Sequence, residues 1–228
     1  KKILSDTRFV IRTTLNRSAI QDFLTHTYKF PGIIFSESAF VSAARFYADG
    51  SSSQAAEKFF DKALRDYPGN TRLMLYFFDY SMNTGYDREK AAGLAGELRR
   101  SGKIAGADKL RLQAISHAFQ DNLPAALNVY GPSVIGKYSA DAAALNDYAR
   151  FWTGRNENLQ SALEAAQVSV RLFNNHFFRY TLGCLYWKLQ RPDEAEAELE
   201  KAVKLSQGSI ILYKDRLAAL RRESKMDF

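Results

Sequence analysis

The sequence predicts an all-α chain, an α-solenoid of stacked antiparallel helix hairpins, on three observations. Helical stripes of apolar and small side chains restart near residues 37, 71, 107, 142 and 176, at intervals of 34, 36, 35 and 34. A near-constant period of this length is the signature of a repeat array. Only 5 of 228 residues are Pro, and Pro31, Pro68, Pro132 and Pro192 fall between stripes, where helices stop or start. Small residues recur inside the stripes, Gly183 above all, where a bare backbone costs a helix about 1 kcal/mol relative to Ala and a close second helix is the usual reason to keep it. The chain therefore divides into an N-terminal segment over 1–36, an array of about five hairpins over 37–209, and a capping helix with its tail over 210–228.

The N-terminal segment gives the weakest signal. Phe9-Val10-Ile11 fits either a helix or a strand. Residues 18–30 read as a helix stopped by Pro31-Gly32, and they overlay 55–69 with one residue deleted. A degenerate first hairpin and an unrelated cap both fit. From residue 37 the pattern is clear. Phe40, Ala44 and Tyr47 stripe one helix, Ser51-Ser52-Ser53 supplies a turn and an N-cap, and Ala56, Phe60 and Ala63 stripe the next. Residues 72–83 form a helix with an aromatic face of Tyr76, Phe77, Phe78 and Tyr80; its partner over 88–100 carries Ala91, Ala92, Gly93, Ala95 and Gly96, expected to permit tight contact. Residues 107–120 open an irregular hairpin whose second helix, 123–130, is cut short by Gly131-Pro132, with a further turn over 134–138. This is where the array is expected to bend. Residues 141–153 and 159–173 form the next pair.

The stretch 176–206 is the most regular. Leu182, Gly183 and Tyr186 stripe its first helix, and Ala195, Leu199 and Ala202 its second, with Gln190-Arg191-Pro192 as the turn. Ala195 and Ala202 are expected to close on Gly183. Beyond it, residues 210–222 read as one helix with Ile211, Leu212, Leu217 and Leu220 inward and Lys214, Arg216, Arg221 and Arg222 outward, the polar-faced terminal element such arrays need.

This order of small and large residues resembles the tetratricopeptide repeat, whose period is about 34 residues. Gly183, Tyr186, Ala195 and Ala202 sit in its slots, as do Ala149 and Trp152, while Arg179 stands where the family often has Trp and Gln190 where it often has Gly. Residues 145–163 resemble a variant common in bacterial members. The resemblance implies a right-handed superhelix and a non-catalytic protein–protein interaction scaffold whose concave groove takes a partner segment. Its expected groove residues are Arg45, Tyr76, Asp79, Gln113, Asn146, Arg150, Tyr180 and Lys188. Arg45, Arg150 and Lys188 would hold a carboxylate; Tyr76 and Tyr180 would serve as flat anchors. Members that grip a C-terminal carboxylate use a set of Lys and Asn residues, but Val41 and Tyr180 fill slots that need polar groups, so that clamp is not expected.

Composition narrows the alternatives. The net charge of +7 invites a nucleic-acid reading, yet residues 37–175 carry 16 basic against 15 acidic side chains and 176–209 five against five. The excess sits at the two ends, and a phosphate-tracking groove needs a basic stripe along its length. No apolar run reaches the ~18 residues of a membrane span. Cys184 is the sole cysteine, so no intramolecular disulfide forms. His26, His117 and His176 lie far apart, outside any HExxH pattern, and no phosphate loop, dinucleotide fingerprint or nucleophile elbow occurs. No cofactor, metal site or catalytic residue is expected. Asp193, Glu194, Glu196, Glu198 and Glu200 read as a solvated helix face, the first two favouring the helix N-terminus. The chain opens on Lys1-Lys2 rather than Met, which raises a second expectation: a substrate-docking accessory region of a larger, exported bacterial enzyme, its targeting signal lying upstream.

Overall fold

The computed structural model describes residues 40, 41, 44, 54–102, 104–208 and 211–223. The expectations for residues 1–36, for Arg45 and Tyr47, and for the Ser51-Ser52-Ser53 turn lie outside them. The chain divides into two compact units, Lys1–Ser101 and Gly102–Phe228.

In the first unit, helical Phe40 and Ala44 are buried ahead of α1 (Gln54–Asp66), α2 (Thr71–Thr84) and α3 (Arg88–Ser101). Phe40 packs on Phe59 and Tyr67, both with ring centroids 5.6 Å away, and Phe60 on Phe77 and Tyr80 at 5.5 and 5.0 Å. Such aromatic pairs add about 0.5–1.5 kcal/mol each beyond the area they bury. Asn70 starts α2, its side-chain oxygen accepting from the Leu73 amide at 2.8 Å. Gly85, at φ +78°, ends it in the left-handed conformation that glycine adopts without strain. Every residue from Leu73 to Ser81 is buried. The aromatic face is therefore one part of a helix covered all round. Among the residues of α3 whose burial is described, Ala91, Ala95 and Leu98 are the buried ones. Among the described residues the tight contact expected at Gly93 and Gly96 is absent: a Cβ at either would meet none of their atoms within 4 Å. Both glycines lie off the narrow buried stripe.

The second unit holds α4 (Gly106–Phe119), α5 (Leu123–Val129), α6 (Ser133–Lys137), α7 (Ala142–Arg155), α8 (Leu159–Leu172), α9 (His176–Lys188), α10 (Pro192–Leu205) and α11 (Ile211–Glu223). The helices pack as hairpins, α4 with α5, α7 with α8 and α9 with α10; α8 then meets α9 and α10 meets α11. The first helices also touch in succession, α4 with α7 and α7 with α9, so they stand in a row. Asn122, Asp141 and Asn175 supply side-chain N-caps for α5, α7 and α9.

The irregular hairpin ends where expected. A Cβ at Gly131 would collide with the Leu127 carbonyl oxygen. The buried Trp152 indole donates to the Tyr130 carbonyl at 2.8 Å, and the Tyr130 ring meets Tyr148 and Phe151 at 5.1 and 5.4 Å. An aromatic box thus replaces the missing length of α5.

In α9, a Cβ on Gly183 would lie 2.8 Å from Leu199 Cγ and 3.2 Å from the Leu199 backbone nitrogen. Ala195 and Ala202 are fully buried on α10, but the side chain seated over Gly183 is Leu199 between them. The capping helix is held by Tyr213, Leu217 and Leu220, all buried, at i, i+4 and i+7. Tyr213 is not among the expected inward residues. Its ring stacks on Tyr180 at 4.6 Å and 22°, and its hydroxyl lies 3.0 Å from His176 Nδ1.

The acidic face of α10 is more than solvated. Glu198 is buried and accepts from Arg179 and Lys201, each at 2.7 Å. Arg179, standing in a slot that often holds Trp, thus ties α9 to α10 by charge. Glu196 accepts from Arg221 at 2.6 Å and Glu200 pairs with the same guanidinium, fastening α11. The Arg191 guanidinium holds the exposed Glu194 carboxyl below its ordinary range.

Candidate functional site

The row of first helices in the second unit gathers polar side chains at one place. Asp147 on α7 lies between two guanidiniums. Arg111 Nη1, from α4, donates to Asp147 Oδ2 at 3.2 Å, and Arg150 Nη1, from α7, lies 3.5 Å from Asp147 Oδ1. The Arg111 and Arg150 side chains are 3% and 7% exposed, Asp147 19%. Sequestering such charges costs several kcal/mol per ion before their attraction is counted, so ordinary packing would favour apolar residues here. Arg150 also lies over the Phe177 ring of α9, 5.1 Å from its centroid, a contact that fixes a guanidinium plane. Asn146 is 1% exposed, and among the described residues neither its amide nitrogen nor its amide oxygen has a hydrogen-bond partner.

The structure brings together Asn146 and Arg150, one turn apart on α7. Gln113, half-buried, lies on α4, whereas Lys188 stands in the last turn of α9. Tyr180 is buried against Tyr213 and offers its ring inward rather than to solvent. Tyr76 and Asp79 belong to the first unit, 4% and 6% exposed. Arg45 lies outside the described residues. Sequence reasoning missed Arg111, Asp147 and Phe177. A signal was available, because Arg111 and Asp147 are opposite charges 36 residues apart, one repeat period, which sets them on neighbouring first helices.

No group of three His, Cys, Asp or Glu capable of holding a metal occurs among the described residues, and none of their helices is long and apolar enough to cross a membrane. His117 sits in the last turn of α4 and His176 at the first residue of α9. Cys184 is half-buried on α9.

The tetratricopeptide repeat family model matches residues 178–208, the hairpin built on Gly183 and Leu199. The structure is similar to that of TTC0263, a thermophilic TPR protein of Thermus thermophilus, with a TM-score of 0.52 and 16% identity over 81% of this chain and 98% of that one. Yeast Tom70 matches at a TM-score of 0.46 and 17% identity, over 91% of this chain and 43% of that one; the fold assignment rests on the first comparison. No curated protein matches the sequence. Hairpins at a period of about 34 residues, a glycine notch filled from the next helix and a family match over 178–208 give this chain a tetratricopeptide repeat at that hairpin and the α-solenoid fold of a tetratricopeptide repeat protein.

Proposed function

We propose that the protein is a non-catalytic protein–protein interaction scaffold, binding a segment of a partner along the row formed by α4, α7 and α9. One observation carries this reading: the row buries Arg111, Asn146, Asp147 and Arg150 together, a polar cluster that packing alone does not require. Gln113, Asn146, Arg150 and Lys188 are the proposed groove residues. Tyr180 contributes by seating α11 through Tyr213. The fold supports a scaffold because neighbouring hairpins make extended binding surfaces; it names no partner.

The test is site-specific photocrosslinking in cells of the source organism. A photoreactive phenylalanine at Gln113, on the row, is expected to yield a discrete protein adduct. The same group at Glu164, exposed on α8, is expected to yield none. Adducts from Glu164 alone, or from neither site, contradict the reading.

A further inference from the structure

We propose that one edge of the second unit rests on the surface of a membrane rich in anionic phospholipid. This goes beyond the groove and does not depend on it. Connections of three residues join α7 to α8, α8 to α9 and α9 to α10, so successive helices run antiparallel. The hairpin turns then lie at one edge of the unit and the links between hairpins at the other. Among the described residues, every exposed large apolar side chain stands at the link edge. Leu127 lies in the last turn of α5, Leu172 ends α8, Phe173 begins the link after it, and Leu205 ends α10. Phe173 is 61% exposed. Exposed apolar residues scattered singly need no explanation; four confined to one edge do. Leu205 follows Leu172 by 33 residues, about one repeat period, which sets the two in line on successive second helices.

The charge of this edge selects the occupant. Arg171 and Lys204 each precede an exposed leucine, Lys137 ends α6, and Lys214 Nζ lies beside Gly208 in the last link. All four are exposed, and no ion pair holds any of them among the described residues. Elsewhere in the unit Arg179, Arg191, Lys201 and Arg221 are each held by a glutamate. A helix C-terminus accounts for a nearby cation, but not for the apolar side chain next to it. The exposed carboxylates of the edge are Asp141, which caps α7, and Asp215; Asp108 and Lys109 at the start of α4 offset each other. Cations therefore exceed carboxylates where the apolar side chains emerge. Those side chains project from helix ends, and a broad fluid surface takes all of them without matching a shape. Apolar groups entering the acyl boundary and cations among the headgroups are the two signals that membrane attachment combines.

The experiment is sedimentation of the full chain with vesicles of phosphatidylcholine alone, and of phosphatidylcholine mixed equally with phosphatidylglycerol. Wild type is expected to bind the mixed vesicles and not the neutral ones. Arg171→Gln combined with Lys204→Gln should weaken that binding by on the order of tenfold, and Phe173→Ser combined with Leu205→Ser should weaken it as well. Arg191→Gln combined with Arg222→Gln removes the same charge at the opposite edge and should leave binding unchanged. Phe173→Trp keeps an aromatic ring in place and reads insertion directly. Its fluorescence should be quenched by brominated acyl chains well beyond that of wild type, whose Trp152 and Trp187 lie towards the C-terminal ends of α7 and α9, away from the link edge. No binding to mixed vesicles, equal binding to neutral ones, or no extra quenching in Phe173→Trp overturns the proposal. Binding that survives both edge variants, as the basic segment over 1–36 would give, overturns it too. None of these outcomes bears on the row of α4, α7 and α9.

Discussion

Gly183 shows how one missing side chain sets the distance between two helices. Leu199 occupies the space a Cβ would take, so α9 and α10 approach as closely as backbone and leucine allow. Gly183→Leu is expected to destabilise the second unit by about 1–3 kcal/mol through overpacking, read as a lower Tm. An unchanged Tm would mean these helices do not meet at this point. Tyr148 makes a different statement. Burial pushes its hydroxyl up to about 12 from the ordinary 10, and the Asn158 amide donates to it at 2.7 Å. The folded state therefore keeps a proton that the unfolded chain releases first. This contribution to stability is complete below pH 10 and is lost as pH rises from 10 to about 12. Denaturant unfolding of Tyr148→Phe should show a shallower loss of stability across that window than wild type; parallel slopes would refute the assignment.

Among the helices, stripe spacing made most boundaries legible. The helix expected over 88–100 runs Arg88–Ser101, that over 159–173 runs Leu159–Leu172, and the capping helix is displaced by a single residue. Apolar periodicity and caps are local properties, and they survive folding. What a small residue touches is not local. Gly183 and Gly93 look alike in sequence, yet one is packed against Leu199 and the other stands exposed with open space beside it. Gly93→Ala should accordingly stabilise the protein, by up to about 1 kcal/mol from helix propensity, with a small rise in Tm; a fall would place Gly93 in a contact after all. Tyr213 escaped the reading of α11 because Ile211 and Leu212 precede it and blur the stripe. The salt link of Arg179 to Glu198 escaped because its partners lie on facing helices, 19 residues apart.

At the level of the whole molecule, a repeat chain has no single hub, and its stability is a sum of neighbouring interfaces. The row of first helices emerges only from that stacking, which explains why only some of the neighbours in the proposed groove were legible. Asn146 and Arg150, four apart on one helix, could be read together from the sequence. Arg111 joins them through the fold, one period upstream, and Tyr180 leaves the solvent because α11 lays Tyr213 upon it. The account stands or falls on that row being where a partner lies. Amide hydrogen–deuterium exchange, with and without the protein captured from Gln113, measures this directly. Added protection over Gly106–Phe119, Ala142–Arg155 and His176–Lys188, with Leu159–Leu172 and Pro192–Leu205 unchanged, is the predicted result. Protection confined to those two outer helices would contradict it.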